Sequence, residues 1–216
     1  MAQKEKDIVV ARPSESAGAC TAHSCDISRR TFVRAAGSVL IGSSSLLRLS
    51  DLHADEGTNA HDQRPTIGDR LVNAATEGAP TPLKVSDIPE NSNPIIALPY
   101  DTASNTVRDG SRLNKLLLLR LPVESLDAET RARAADGVFA YSATCTHQGC
   151  EVSQWLPADQ ALMCFCHFSK FDVRAAGSVT AGPAPSNLPY LSLRSEGGEL
   201  VIASAFNTKP GAKRSG

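Results

Sequence analysis

Apolar residues along this chain fall into short runs separated by Gly, Pro, Asn and Asp, with little of the three-to-four spacing that marks a helix. Strands are predicted at Leu83 to Val85, Pro94 to Leu98, Lys115 to Leu121, Gly137 to Ala143, Glu151 to Leu156, Ala161 to Met163, Tyr190 to Arg194 and Glu199 to Ala203. The unbroken leucines of Lys115 to Leu121 predict a strand covered on both faces, because a half-exposed strand alternates apolar with polar. Pro157-Ala158-Asp159 reads as a turn, and Ser195-Glu196-Gly197-Gly198 as the turn of a hairpin. Glu124 to Ala135 has helical composition but is dominated by charge, which supports only a short surface helix or loop. Many short strands joined by turns predict an all-β sandwich or barrel.

The N-terminal part of the chain has a different pattern. Ser28-Arg29-Arg30-Thr31-Phe32-Val33 runs into the modestly apolar stretch Ala35 to Leu47, which ends at Arg48. Paired arginines before such a stretch resemble a twin-arginine export signal, which implies passage to the periplasm as a folded protein. As a helix, thirteen residues reach only about 20 Å against a hydrocarbon core of roughly 30 Å, so membrane association is expected to be peripheral at most. The organisation expected is a leader over 1–54, a mobile linker or extended arm over 55–82, one domain over 83–205 and a flexible tail over 206–216.

Candidate chemistry sits on the loops between predicted strands. Cys145-Thr146-His147-Gln148-Gly149-Cys150 is followed by Cys164-Phe165-Cys166-His167-Phe168-Ser169. Each box offers a thiolate and an imidazole, and the four ligands together suit a 2Fe-2S centre with Cys145 and Cys164 on one iron and His147 and His167 on the other. Neutral imidazoles in place of two thiolates ease reduction, giving such clusters potentials of roughly -150 to +300 mV. Two Cys and two His also suit a structural zinc ion held tetrahedrally, which the residue types alone leave open. An earlier segment, Cys20-Thr21-Ala22-His23-Ser24-Cys25, echoes the first box, but its histidine is displaced by one position and it has no second box.

Both boxes resemble those of the Rieske superfamily, which implies an antiparallel β sandwich or barrel with two cluster-binding loops at one tip. The resemblance further implies a disulfide between Cys150 and Cys166, and a Ser169 hydroxyl donating to a bridging sulfide. Phe165 and Phe168 depart from the family's usual proline and glycine. Phe171 stands where high-potential members carry a tyrosine. Cys-His-Phe-Ser-Lys-Phe-Asp, led by Ala140-Tyr141-Ser142, is similar to the small subunit of arsenite oxidase, while Gly182-Pro183-Ala184-Pro185 is similar to the proline loop of the Rieske subunit in ubiquinol:cytochrome c reductase. The loop from Gly182 to Pro189 is then expected to cover a third side of the cluster.

The expected function is a periplasmic electron-transfer subunit passing electrons between a catalytic oxidoreductase subunit, arsenite oxidase-like and molybdenum-containing, and a cytochrome c or cupredoxin. The alternative is the Rieske subunit of a ubiquinol:cytochrome c reductase. Composition narrows the rest. The 22 basic residues balance 23 acidic ones, and one Trp with three Tyr makes no base-stacking surface, so no nucleic-acid partner is expected. No nucleophile with its base stands out, so substrate chemistry belongs to a partner.

Overall fold

The computed structural model describes residues 59–213 of the 216. The twin-arginine signal and the Cys20 to Cys25 segment lie outside the described residues. Twelve strands are found among these residues, with one short helix, α1 (Ala128–Ala132). The strands are β1 (Arg70–Asn73), β2 (Ile95–Asp101), β3 (Thr106–Val107), β4 (Leu116–Arg120), β5 (Val138–Ser142), β6 (Val152–Leu156), β7 (Ala161–Cys164), β8 (Lys170–Asp172), β9 (Ser178–Ala181), β10 (Tyr190–Leu191), β11 (Leu193–Glu196) and β12 (Glu199–Ile202).

All the strand pairs are antiparallel and fall into two sheets. The larger runs β10-β5-β4-β2-β1-β12-β11, with β3 added to β2. Its two ends, β10 and β11, are separated in sequence by Ser192 alone, so one continuous segment belongs to both edges and curls the sheet into a nearly closed barrel. The smaller sheet, β6-β7-β8-β9, stands against one face of it.

Strand β4 shows why the leucine run is unbroken. Leu116 and Leu118 point into a barrel interior shared with Leu71, Ala97, Val138, Ala140, Leu200 and Ile202. Leu117 and Leu119 point the other way, into a second core with Phe139, Tyr141, Trp155, Leu162 and Phe171. Alternate side chains leave opposite faces of a strand, so two cores require two apolar sets. The hairpin β11-β12 closes at Gly197-Gly198, both at positive φ (59° and 86°), with Glu196 opposite Glu199. That conformation is the primed turn which suits the twist of paired strands and which glycine enters freely.

Two expectations at the domain edges need correction. Within the expected linker over 55–82, Arg70 to Asn73 form β1, paired with β2 and β12, and Leu71 is fully buried. The polar residues around this strand hide it, because its partners come from distant parts of the chain. Within the expected tail, Asn207 exchanges two hydrogen bonds with Tyr190, Pro210 and Gly211 are buried, and the Lys213 amide donates to the Thr146 carbonyl at 3.3 Å. Leu83 to Val85 contribute bridges and backbone bonds to Leu71 and Leu200 rather than a full strand. A buried ion pair fastens the N-terminal side: Arg108 donates through Nε and Nη2 to both carboxylate oxygens of Asp69, at 2.7 and 3.0 Å.

Candidate metal centre

Three loops share one end of the fold. The first box leaves β5 and leads to β6, the second leaves β7 and leads to β8, and the proline loop joins β9 to β10. The two boxes are conformational duplicates. In the first, the Cys145 amide donates to the Cys150 carbonyl (2.8 Å) and the Gly149 amide to the Cys145 carbonyl (3.0 Å). In the second, the Cys164 amide donates to the Ser169 carbonyl (2.9 Å) and the Phe168 amide to the Cys164 carbonyl (2.9 Å). The fifth residue of each box has positive φ: 76° at Gly149 and 58° at Phe168. Glycine takes this conformation without penalty, whereas a phenylalanine there is strained by about 1–2 kcal/mol.

Sequence-predicted residues meet here. Cys145 and Cys164 are buried, and neither is in a disulfide. Burial first, and then the neighbouring Cys164, push the Cys145 thiol up to about 11. The His147 and His167 rings lie 4.6 Å apart between centroids and nearly perpendicular, at 89°. His167 is exposed and His147 half-buried, so the thiols occupy the inner side and an imidazole reaches the surface. Cys150 and Cys166 form a disulfide with Cα atoms 6.5 Å apart, tying the two boxes to each other. The sulfurs of Cys150, Cys164 and Cys166 lie within 4.8 Å of one another, but the disulfide leaves only Cys164 of these three as a thiolate ligand.

The loops also lock to one another. Ser169, 1% exposed, accepts at Oγ from the Ala184 amide of the proline loop (3.1 Å). Thr146 Oγ1 donates to the Ser186 carbonyl at 2.6 Å. The proline loop therefore bonds to both boxes. Gly182 (φ 84°) lies against the backbone of Ser169, where a Cβ would come within 2.5 Å of Cα and 2.7 Å of N. From outside the three loops, the Arg112 guanidinium donates to the Gly149 carbonyl, and the Lys213 amide to the Thr146 carbonyl. Thr146, Arg112 and the 207–213 segment carry no sequence signal of this role, since most of the bonds involved use backbone atoms that any residue supplies.

Donor chemistry fits an iron-sulfur cluster. His147 Nδ1 is buried and has no hydrogen-bond partner. The hydroxyl hydrogen of Ser169 finds no acceptor among the described residues, its oxygen being used only to accept from Ala184. Buried polar atoms are ordinarily satisfied, and an unpaired one commonly marks a missing ion or ligand. Cys145, Cys164, His147 and His167 would supply the four ligands and Ser169 a hydrogen bond beside them, which favours the cluster over a zinc ion that needs no such donor.

Comparison with known proteins agrees. The family description "Rieske [2Fe-2S] domain" matches residues 120–192. The cytochrome bc1 complex Rieske iron-sulfur subunit of Streptomyces lividans is 31% identical over 146 residues, covering 66% of this chain and 84% of that protein. Its Streptomyces coelicolor counterpart is 30% identical over 176 residues, covering 77% of this chain and 48% of the relative, so the chain spans about half of that relative's length. A putative respiratory nitrate reductase subunit Rieske of Haloferax mediterranei is 43% identical over 72 residues, covering 33% of this chain and 32% of the relative. Among solved structures, the soluble domain of Rieske protein II (soxF) from Sulfolobus acidocaldarius matches 47% of this chain and 68% of its own, at 19% identity and a TM-score of 0.37. With two ligand boxes of one conformation, a disulfide between them and this sequence kinship, the chain belongs to the Rieske 2Fe-2S iron-sulfur proteins, which transfer electrons.

Proposed function

We propose that this chain is the electron-transfer subunit of a periplasmic oxidoreductase, carrying single electrons between a molybdenum-containing catalytic subunit of the arsenite oxidase type and a cytochrome c or cupredoxin. The 2Fe-2S cluster supplies a one-electron couple when bound. Cys145, Cys164, His147 and His167 would hold it, the disulfide and the proline loop would limit the access of water, and His167 stands exposed where a partner can reach it.

One observation carries the choice of complex. Phe171 is fully buried and packs in the same core as Cys145 and Cys164. Where quinol-oxidising members place a hydroxyl that donates to a cysteine sulfur, this chain places an apolar ring. A donor to a ligand sulfur stabilises the added electron, so its absence lowers the potential. The relatives named as bc1 subunits favour the second reading, a ubiquinol:cytochrome c reductase subunit. The wild-type potential, read by voltammetry, separates the two, and Phe171→Tyr tests whether the missing hydroxyl is the cause or Phe171 only packs. The first reading expects a wild-type potential in the lower part of the Rieske range and an upward shift in the variant; a wild-type potential in the upper part refutes it, and an unshifted variant leaves Phe171 as a packing residue.

Export as a folded protein rests on Arg29-Arg30. Arg29→Lys with Arg30→Lys is expected to leave the cluster-loaded chain in the cytoplasmic fraction, and undiminished export of that variant would refute the assignment. No helix among the described residues is long and apolar enough to cross a membrane.

A further inference from the structure

The cluster end of the molecule has an uneven surface. Phe165 and Phe168 are 63% and 59% exposed, their ring centroids are 6.0 Å apart, and they flank His167 on the same loop. Scattered exposed apolar residues are ordinary, but two aromatic rings beside the exposed imidazole of a ligand box form a patch. Phe168 holds its ring there from a left-handed backbone position that glycine would occupy more easily. Strain kept at an exposed site points to use of the side chain rather than to packing. The three loops, 143–150, 164–169 and 182–189, contain no Asp, Glu, Lys or Arg.

Charge begins at the edge of this neutral area, on one side. Arg112 bonds the Gly149 carbonyl, Lys213 bonds the Thr146 carbonyl through its amide, and Lys209 lines the same shallow depression as Lys213. All three are exposed, and none lies within 4.0 Å of a carboxylate among the described residues. The carboxylate next to the first box, Glu151, is already paired with Lys115 at 2.9 Å. The edge is therefore a basic shoulder.

We propose that Phe165, Phe168 and His167 form the apolar centre, and Arg112, Lys209 and Lys213 the basic rim, of a docking face for an acidic redox protein. That partner exposes its redox centre in an apolar patch bordered on one side by carboxylates. Buried aromatic anchors set how long such a complex lasts, while unpaired rim charges set how fast it forms and how it responds to salt. One electron leaves the reduced chain and one acceptor metal is reduced, for example Cu(II) to Cu(I). This assignment deepens the electron-carrier reading and rests on it.

The cluster-loaded full chain, reduced with dithionite, is mixed by stopped flow with two probes, an acidic cupredoxin whose copper lies under an apolar face and a lysine-rich cytochrome c. Binding is followed separately through the amide NMR shifts of the Cu(I) cupredoxin. The cupredoxin is expected to react faster than the cytochrome and to lose at least fivefold in rate between 10 and 500 mM salt, as screening shortens the Debye length from about 30 Å to a few Å. Phe165→Ser with Phe168→Gly is expected to lower rate and affinity at least tenfold at every salt concentration, the affinity being read from the NMR shifts, which do not depend on the cluster's potential. Lys209→Gln with Lys213→Gln is expected to flatten the salt dependence. A faster reaction with the basic cytochrome, or a phenylalanine variant as fast as wild type, overturns the docking face. A chain that dithionite cannot reduce overturns the carrier reading, and this proposal with it.

Discussion

Replacing Gly182 with alanine tests whether the proline loop is held against the second ligand box as closely as the geometry requires. The added Cβ would lie 2.5 Å from Ser169 Cα, 2.7 Å from Ser169 N and 2.9 Å from the Phe168 carbonyl oxygen, against ordinary contacts of 3.4 Å or more. All three neighbours are backbone, so relief requires the loop to retreat by about 1 Å, estimated from that shortfall and resisted by close packing. Such a retreat takes the 3.1 Å bond from the Ala184 amide to Ser169 Oγ beyond useful length. Losing a bond at a buried hydroxyl costs about 1–3 kcal/mol. Gly198 supplies the control: its φ is 86° against 84° at Gly182, but a Cβ there meets nothing within 4 Å. Gly198→Ala therefore carries only the backbone penalty of about 1–2 kcal/mol that both variants share. Thermal unfolding of the two should differ by roughly 2–12 °C, taking about 2–4 °C per kcal/mol for a domain of this size. Gly182→Ala should also release its cluster to a chelator faster, followed by loss of visible absorbance. Equal melting temperatures and equal release rates would refute the claim that this contact holds the loop.

Two further predictions concern the disulfide and a buried tyrosine. Cys150→Ser with Cys166→Ser opens a loop with a sequence separation of 16 and should cost about 3 kcal/mol in chain entropy, measured by denaturant unfolding of the metal-free protein; no loss would contradict a constraint on the unfolded chain. Burial pushes the Tyr141 hydroxyl up to about 12 from its ordinary value near 10. The folded state thus holds this proton more tightly than the unfolded one, and the resulting stability is whole below pH ~10 and lost as pH rises towards 12, amounting to about 2–3 kcal/mol. Denaturant unfolding between pH 9 and 12 should fall more steeply for wild type than for Tyr141→Phe, and parallel curves would remove the argument. That variant should be less stable near neutrality, because Tyr141 accepts from Arg133 Nη2 at 2.6 Å and donates to the Val173 carbonyl at 2.8 Å.

Much of this molecule was legible before folding. The leucine run announced a strand with two covered faces because its side chains alternate between two cores. Gly197-Gly198 announced a hairpin because few other residues accept two successive positive φ angles. Cys145, His147, Cys164 and His167 could be picked out because metal ligation demands particular atoms, which only a few side chains carry.

What sequence could not disclose depends on backbone atoms and on partners far apart in the chain. Strand β1 is ordinary in composition and becomes a strand only because β2 and β12 flank it. The 207–213 segment looks like a tail and is held by Tyr190 and Thr146. That the two boxes share one hydrogen-bond pattern, and that Phe168 therefore stands in a glycine's conformation with its ring in solvent, became visible only in three dimensions. Side-chain chemistry is written locally, residue by residue, whereas main-chain hydrogen bonds and exposure are properties of the whole packed chain, and these decided how the site is closed and what surface it shows.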